Sequence, residues 1–135
     1  LYDGIQDCLV YLNKEAIPYC IVTSSPRSYC IKVCAHLSID STYTVCYHDT
    51  NRRKPHPDPI LKAIEVMKVE AHSRVVSFGD RDIDVVASKA SGAIAVGCLW
   101  GADDNQALIK SAPEFIIESP HEIIPLIKQI QSDLR

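Results

Sequence analysis

Three short polar clusters in this 135-residue sequence combine residue types that could do chemistry together. Thr23-Ser24 follows a brief apolar run and precedes a helix start. It offers a hydroxyl and several free backbone N–H groups, the donors that suit an anionic oxygen such as a phosphoryl oxygen. Lys54 lies between Arg53 and Pro55, and Pro57 and Pro59 stiffen the backbone beyond it. A flexible ammonium on a stiffened arm serves naturally as a point cation for a phosphoryl group. Gly79-Asp80, with Asp82 and Asp84 close behind, supplies carboxylates where a hard divalent cation would find oxygen ligands.

The elements that must position these clusters can be read from two alternating periods. In Tyr2 to Glu15, Ile5, Cys8, Leu9 and Leu12 fall at helical spacing, and Pro18 ends the pattern. Tyr19 to Val22 is a short continuous apolar run, the pattern of a parallel strand buried on both faces, and it delivers Thr23 at its end. Ser25-Pro26 predicts a second helix, with Ser25 as cap and Cys30, Val33, Cys34 and Leu37 inward. Thr42 to Tyr47 reads as a strand, followed by the loop that holds Lys54. Asp58-Pro59 opens a third helix in the same way, with Ile60, Ala63, Ile64 and Met67 inward.

Arg74 to Phe78 is the next strand, broken by Gly79-Asp80, and the helix behind it carries Ile83, Val86, Ala87 and Ala90, closed by Gly92. Ala93 to Cys98, a short helix over 103–110, and a strand over 114–117 follow. Ser119-Pro120-His121-Glu122 is a capping box for a last helix through Ile123, Leu126, Ile127 and Ile130. Strands spaced by helices in this rhythm predict an α/β fold: a three-layer α/β/α sandwich with a parallel, Rossmann-like sheet, in one core domain over 1–135. In such sheets the ligand site lies beyond the carboxyl ends of the strands, where Thr23, Lys54 and Asp80 stand.

Bulk properties narrow the function classes. Hydrophobic residues make up 47% and charged residues 23%, as in folded globular chains. A net charge of −3 gives no broad basic surface, so neither nucleic acid nor an anionic membrane is expected as a partner, and a small phosphorylated metabolite is. No apolar run reaches the roughly 18 residues a bilayer crossing needs, and the start lacks the pattern of a signal peptide, which gives a cytoplasmic expectation. Six cysteines in a chain with this much apolar content read as buried small hydrophobes rather than a disulfide framework or a zinc set.

Hydroxyl, lysine and acidic cluster, each at a strand end and in that chain order, resemble the second, third and fourth motifs of the haloacid dehalogenase (HAD) superfamily. The segments 21–27, 53–59 and 78–84 look like its phosphoglycolate-phosphatase-like branch, and 97–101 and 113–120 resemble the same branch. The resemblance implies a HAD-like core and Mg²⁺-dependent hydrolysis of phosphomonoesters through an aspartyl-phosphate. It implies that Thr23 and Ser24 bind the phosphoryl group, that Lys54 neutralises it, and that Asp80 and Asp84 hold Mg²⁺. Ser24 stands where relatives often have Asn, and Arg81 where Ser is common.

The resemblance also implies an Asp-x-Asp nucleophile motif ending an earlier strand, followed by a cap domain; no Asp-x-Asp lies upstream of Thr23. In the family that strand sits between those ending at Thr23 and Asp80. Three outcomes are therefore expected: the chain is a piece of a longer protein, another segment supplies the strand, or the two flanking strands close on each other. The isolated chain is expected to be inactive, and a bare sheet edge would favour self-association. Two other classes use part of the same residue set. One is a HAD-like module that binds phosphate, metal or a partner without catalysis. The other is a phospho-accepting receiver, whose acids-first, lysine-last order is the reverse of the order here. Asp82 reads as a helix-start residue, Arg52 and Arg53 as a solvated loop face, and Trp100 as a loop anchor.

Overall fold

The computed structural model describes residues 3–37, 39, 43–70 and 74–133. The chain alternates helices and strands in the order α1 (Ile5–Lys14), β1 (Ile21–Val22), α2 (Arg27–His36), β2 (Thr44–Val45), α3 (Asp58–Val66), β3 (Val76–Gly79), α4 (Asp82–Ser91), β4 (Ile94–Cys98), α5 (Asn105–Lys110), β5 (Phe115–Ile117) and α6 (Ile123–Asp133). Every strand pairing is parallel. The predicted starts at Tyr2 and Thr42 lie outside the described residues.

Helices cover both faces of the strands. Cys8 and Leu12 of α1 and Ile123, Leu126 and Ile130 of α6 are buried with Ile94, Val96 and Cys98 of β4. On the opposite face Ala95 of β4 packs with Val85 of α4 and Leu108 of α5. The alternation of side chains along a strand thus serves two layers at once, which is why β4 is buried at all five positions. Ile21 and Val22, adjacent and so on opposite faces, divide in the same way: Ile21 packs on Cys30, Cys34 and Cys46, and Val22 on Ile60 of α3. The three-layer α/β/α expectation holds.

Two local readings need correction. Neither Ser25 nor Asp58 caps a helix through its side chain. Pro26 and Pro57 occupy the N-cap positions, and no side-chain cap bond forms at either. The Ser25 N–H instead donates to Thr23 Oγ1 at 3.1 Å, and the Asp58 carboxylate accepts from the Arg52 guanidinium at 3.1–3.2 Å. The inward face of α4 is also rotated from the one read in the sequence. Val85, Ala87 and Ser88 are buried, while Val86 is 45% exposed and Ala90 is exposed. Because α4 is pressed between β3, β4 and α5, a face with Ala87 and Ser88 allows closer approach than one centred on Val86.

Other local signals form as read. Gly92 ends α4 at φ 87°, in the left-handed region. Ser119 accepts from the His121 N–H, and Glu122 Oε2 accepts from the Ser119 N–H at 2.9 Å, the reciprocal bonds of a capping box. All six cysteines are free thiols and five are buried.

The strands do not make one continuous sheet. Among the described residues β1 pairs only with β2, and β3, β4 and β5 form a second sheet in that order. β1 and β3 have not closed on each other: a trough of about 820 Å³ separates them, lined by residues of both strands. Phe78 of β3 lines it and stays 37% exposed. That opening also explains why β1, read as fully buried, is only half-buried.

Candidate active site

Each predicted site residue is delivered by a different connection at the carboxyl end of a strand. Thr23 and Ser24 follow β1 directly. The Thr23 N–H donates to the Val45 carbonyl at 2.9 Å, and Thr23 Oγ1 accepts from the Ser25 N–H, so the turn is tied to β2 and to itself. A clasp from α2 secures the same corner. Arg27 donates to Thr44 Oγ1 at 2.9 Å and pairs with Asp49, which also accepts from the Cys46 N–H at 2.8 Å. These bonds hold the Asp49 carboxyl below the usual carboxylate range, the Cys46 N–H first among the causes.

Lys54 comes from the loop between β2 and α3, next to the Lys54-Pro55 peptide bond, which is cis. The loop is anchored on both sides of it. Arg53 lies over the Tyr47 ring, 3.6 Å from its centroid, and Arg52 is bridged to Asp58. Lys54 Nζ reaches Asp84 Oδ1 at 2.5 Å. The second oxygen of Asp84 accepts from the Arg81 N–H at 3.1 Å, so one carboxylate closes the start of α4 and holds the lysine.

Asp80 and Asp84 are brought together by the tight passage from β3 into α4. A Cβ on Gly79 would fall within the Asp84 side chain, and one on Gly101 would stand 2.5 Å from Asp80 Oδ2. Glycine at both positions lets backbone approach the two acids closely. Burial, then the neighbouring Asp84 carboxylate, holds the Asp80 carboxyl above the usual range against the opposing pull of its own backbone and Lys54. Beside them the Cys98 thiol is pushed up to about 12, mainly by burial, which leaves it inert as a nucleophile at neutral pH.

Thr23, Ser24, Lys54, Asp80 and Asp84 all line one cleft of about 390 Å³. The same cleft is walled by Thr50, Arg53 and Arg81, none of which was counted in the site from the sequence. From the sequence Arg53 reads as part of a solvated loop face. It is exposed, yet its stacking on Tyr47 holds it at the rim, and the aromatic six residues before it was the available signal. Asp82 lies in the first turn of α4 and is exposed, as expected of a helix-start acid. Trp100 sits in the turn Leu99–Gly101, packed against the α1/α6 core.

The donor set can be tested against a divalent cation. Among the described residues, no group of three or more His, Cys, Asp or Glu side chains has metal-holding geometry. A Mg²⁺ ion bound through one or two carboxylates, with its other positions filled by water and substrate oxygens, needs no more than the adjacent Asp80 and Asp84 provide. The hard oxygen donors and their mutual repulsion fit such a cation.

A parallel α/β core with this polar set at its strand ends defines a class, and comparison with known proteins names it. The haloacid dehalogenase-like hydrolase family matches residues 1–98, and the chain belongs to that family. Phosphoglycolate phosphatase of Escherichia coli K12 is 30% identical over 129 residues, covering 94% of this chain and 51% of that protein. Phosphoglycolate phosphatase of Pectobacterium atrosepticum is 26% identical over 129 residues, covering 94% of this chain and 55% of that protein. The crystal structure of a hydrolase from Pseudomonas syringae matches with a TM-score of 0.83 at 25% identity, over 95% of this chain and 59% of that one. The chain spans about half the length of these curated relatives. Among the described residues no helix is long and apolar enough to cross a membrane.

Proposed function

We propose that residues 1–135 form the phosphate- and metal-handling part of a Mg²⁺-dependent phosphomonoester hydrolase acting on a small phosphorylated metabolite. The observation that carries this reading is the convergence of a hydroxyl, an ammonium and two carboxylates, from three separate strand ends, on one cleft. Likeness to phosphoglycolate phosphatases supports it.

In this reading Thr23 Oγ1, with the backbone N–H groups at Ser24 and beyond, donates to the phosphoryl oxygens. Lys54 has three donors and gives one to Asp84, so two remain for the phosphoryl group. Its bond to Asp84 also fixes the ammonium's position before substrate arrives, which reduces the reorganisation needed in the transition state. Asp80 and Asp84 hold Mg²⁺, which when bound supplies Lewis-acid stabilisation of the phosphoryl charge. The nucleophilic carboxylate comes from outside residues 1–135, so this chain alone is inactive.

The first test is calorimetric titration of Mg²⁺ into the 135-residue protein and its Asp80→Asn variant. Loss of one of two charged ligands should weaken binding by about tenfold or more. Equal affinities would remove Asp80 from the metal site and this reading with it. A second reading, a HAD-like module that binds phosphate and metal without catalysis, draws on the same cleft together with the open trough; it predicts the same titration and no turnover in any assembled form.

A further inference from the structure

The two acids of the cleft are held in place by different means. Both oxygens of Asp84 are tied, one to Lys54 Nζ at 2.5 Å and the other to the Arg81 N–H at 3.1 Å. Among the described residues no comparable bond from another residue reaches the Asp80 carboxylate. Backbone abuts it instead: a Cβ built on Gly101 would stand 2.5 Å from Asp80 Oδ2 and 3.3 Å from its Cβ and Cγ. Asp84 is fixed by bonds and Asp80 by a wall.

That wall cannot retreat. Gly101 ends the turn Leu99–Gly101, which is closed by the Ala102 N–H donating to the Leu99 carbonyl at 3.2 Å. Trp100 packs against the core of α1 and α6, while Leu99 and Ala102 pack on Val85, Ala95 and Leu108 in the other layer. One turn is thus pinned in both cores of the sandwich, and the glycine at its end sets how far the Asp80 carboxylate can swing. Backbone conformation does not call for glycine there, because among the glycines only Gly4 and Gly92 have positive φ. Space is the reason.

The size of this restriction bears on the cation. Ordinary contact between such atoms is about 3.5 Å, so a methyl at position 101 would drive Oδ2 away by about 1 Å. Mg²⁺ takes near-ideal octahedral geometry with oxygens at about 2.0–2.1 Å, whereas Ca²⁺ accepts variable geometry at about 2.3–2.6 Å. A displacement of about 1 Å is disabling for the first and tolerable for the second.

We propose that Gly101 is a positioning residue for the metal ligand Asp80, and that the pinned turn Leu99–Gly101 makes the site selective for Mg²⁺ over Ca²⁺. This assignment rests on the metal-binding reading above and adds the source of its selectivity. Gly79 also abuts an acid, but a Cβ there would lie 2.3 Å from the Asp84 Cβ, an atom fixed to backbone, so its substitution disrupts the β3–α4 passage itself. At Gly101 the nearest atom is the free end of a side chain, which yields without unfolding.

Mg²⁺ and Ca²⁺ are titrated calorimetrically into the 135-residue protein and its Gly101→Ala and Asp80→Asn variants. Gly101→Ala should weaken Mg²⁺ binding by about tenfold and Ca²⁺ binding by less than about threefold, with Tm within about 4 °C of the parent. An Asp80→Asn variant weakened for Mg²⁺ beside an unchanged Gly101→Ala would overturn this assignment alone. If Asp80→Asn binds Mg²⁺ as the parent does, the metal-site reading fails and the assignment falls with it. Equal losses for the two cations in Gly101→Ala, or a fall in Tm of about 8 °C or more, would also overturn it, since the turn rather than the carboxylate would then have moved.

Discussion

Asp80 is the residue at which this cleft is least comfortable without a cation. Burial and the adjacent Asp84 raise its folded-state pKa above the unfolded value of about 3.9. The folded state therefore holds the proton more tightly than the unfolded one, so the ionised carboxylate subtracts from stability above the folded pKa and the penalty vanishes below the unfolded value. In metal-free buffer at pH 7, Asp80→Asn should melt higher than the parent by a few degrees, and the gap should close as pH falls through about 4. Thermal scans with added Mg²⁺ should reverse the order. A variant that melts lower at pH 7 without metal would contradict this account.

Asp49 has the opposite sign. The Cys46 N–H and Arg27 lower its pKa, so its contribution is present above the unfolded value and is lost as pH falls through the folded one. Asp49→Ala should cost about 1–2 kcal/mol in urea unfolding at pH 7, with the difference from the parent disappearing in strong acid. Thr23 and Asp80 stood out in the sequence as polar residues that end apolar runs, and Lys54 through the prolines beyond it; the structure brings all three to one cleft. Arg53 did not stand out, because its place at the cleft rim depends on stacking against Tyr47, a contact that no periodicity encodes.

Elements were legible where local chemistry and periodicity agreed. Gly92 at the end of α4, the capping box at Ser119 and Glu122, and the continuous run of β4 all formed as read. A Cβ at Gly92 meets nothing within 4 Å, so Gly92→Ala isolates the cost of a left-handed backbone, about 1–2 kcal/mol by equilibrium unfolding. Sequence failed where tertiary packing decided. Spacing alone cannot tell Val86 from Val85, and the neighbours Ala95 and Leu108, distant in the chain, select Val85. Leu108→Ala should cost about 2–5 kcal/mol and Val86→Ala less than about 0.5, a contrast that the unrotated face would reverse. The caps read at Ser25 and Asp58 failed for a different reason: a neighbouring proline, Pro26 or Pro57, took the cap position, and the side chain or backbone of each residue found other partners.

At the scale of the molecule, the layer architecture and the parallel direction of the strands followed from the alternation of elements, whereas the division of the strands between two sheets did not. Each run predicted a parallel strand, and nothing in a run says how many neighbours it has. The family resemblance did point to a strand between those ending at Thr23 and Asp80, and the fold keeps that space open rather than closing it. The cleft is therefore assembled at the mouth of a trough: Lys54, Asp80 and Asp84 line both.

The most direct measurement is Mg²⁺-dependent phosphate release from a generic aryl phosphate, by residues 1–135 alone and preceded by an apolar strand ending in Asp-x-Asp. The account predicts turnover only in the extended protein with Mg²⁺, reduced about 100-fold or more by Lys54→Ala. Absence of turnover in the folded, extended protein, or turnover indifferent to Lys54→Ala, would contradict it.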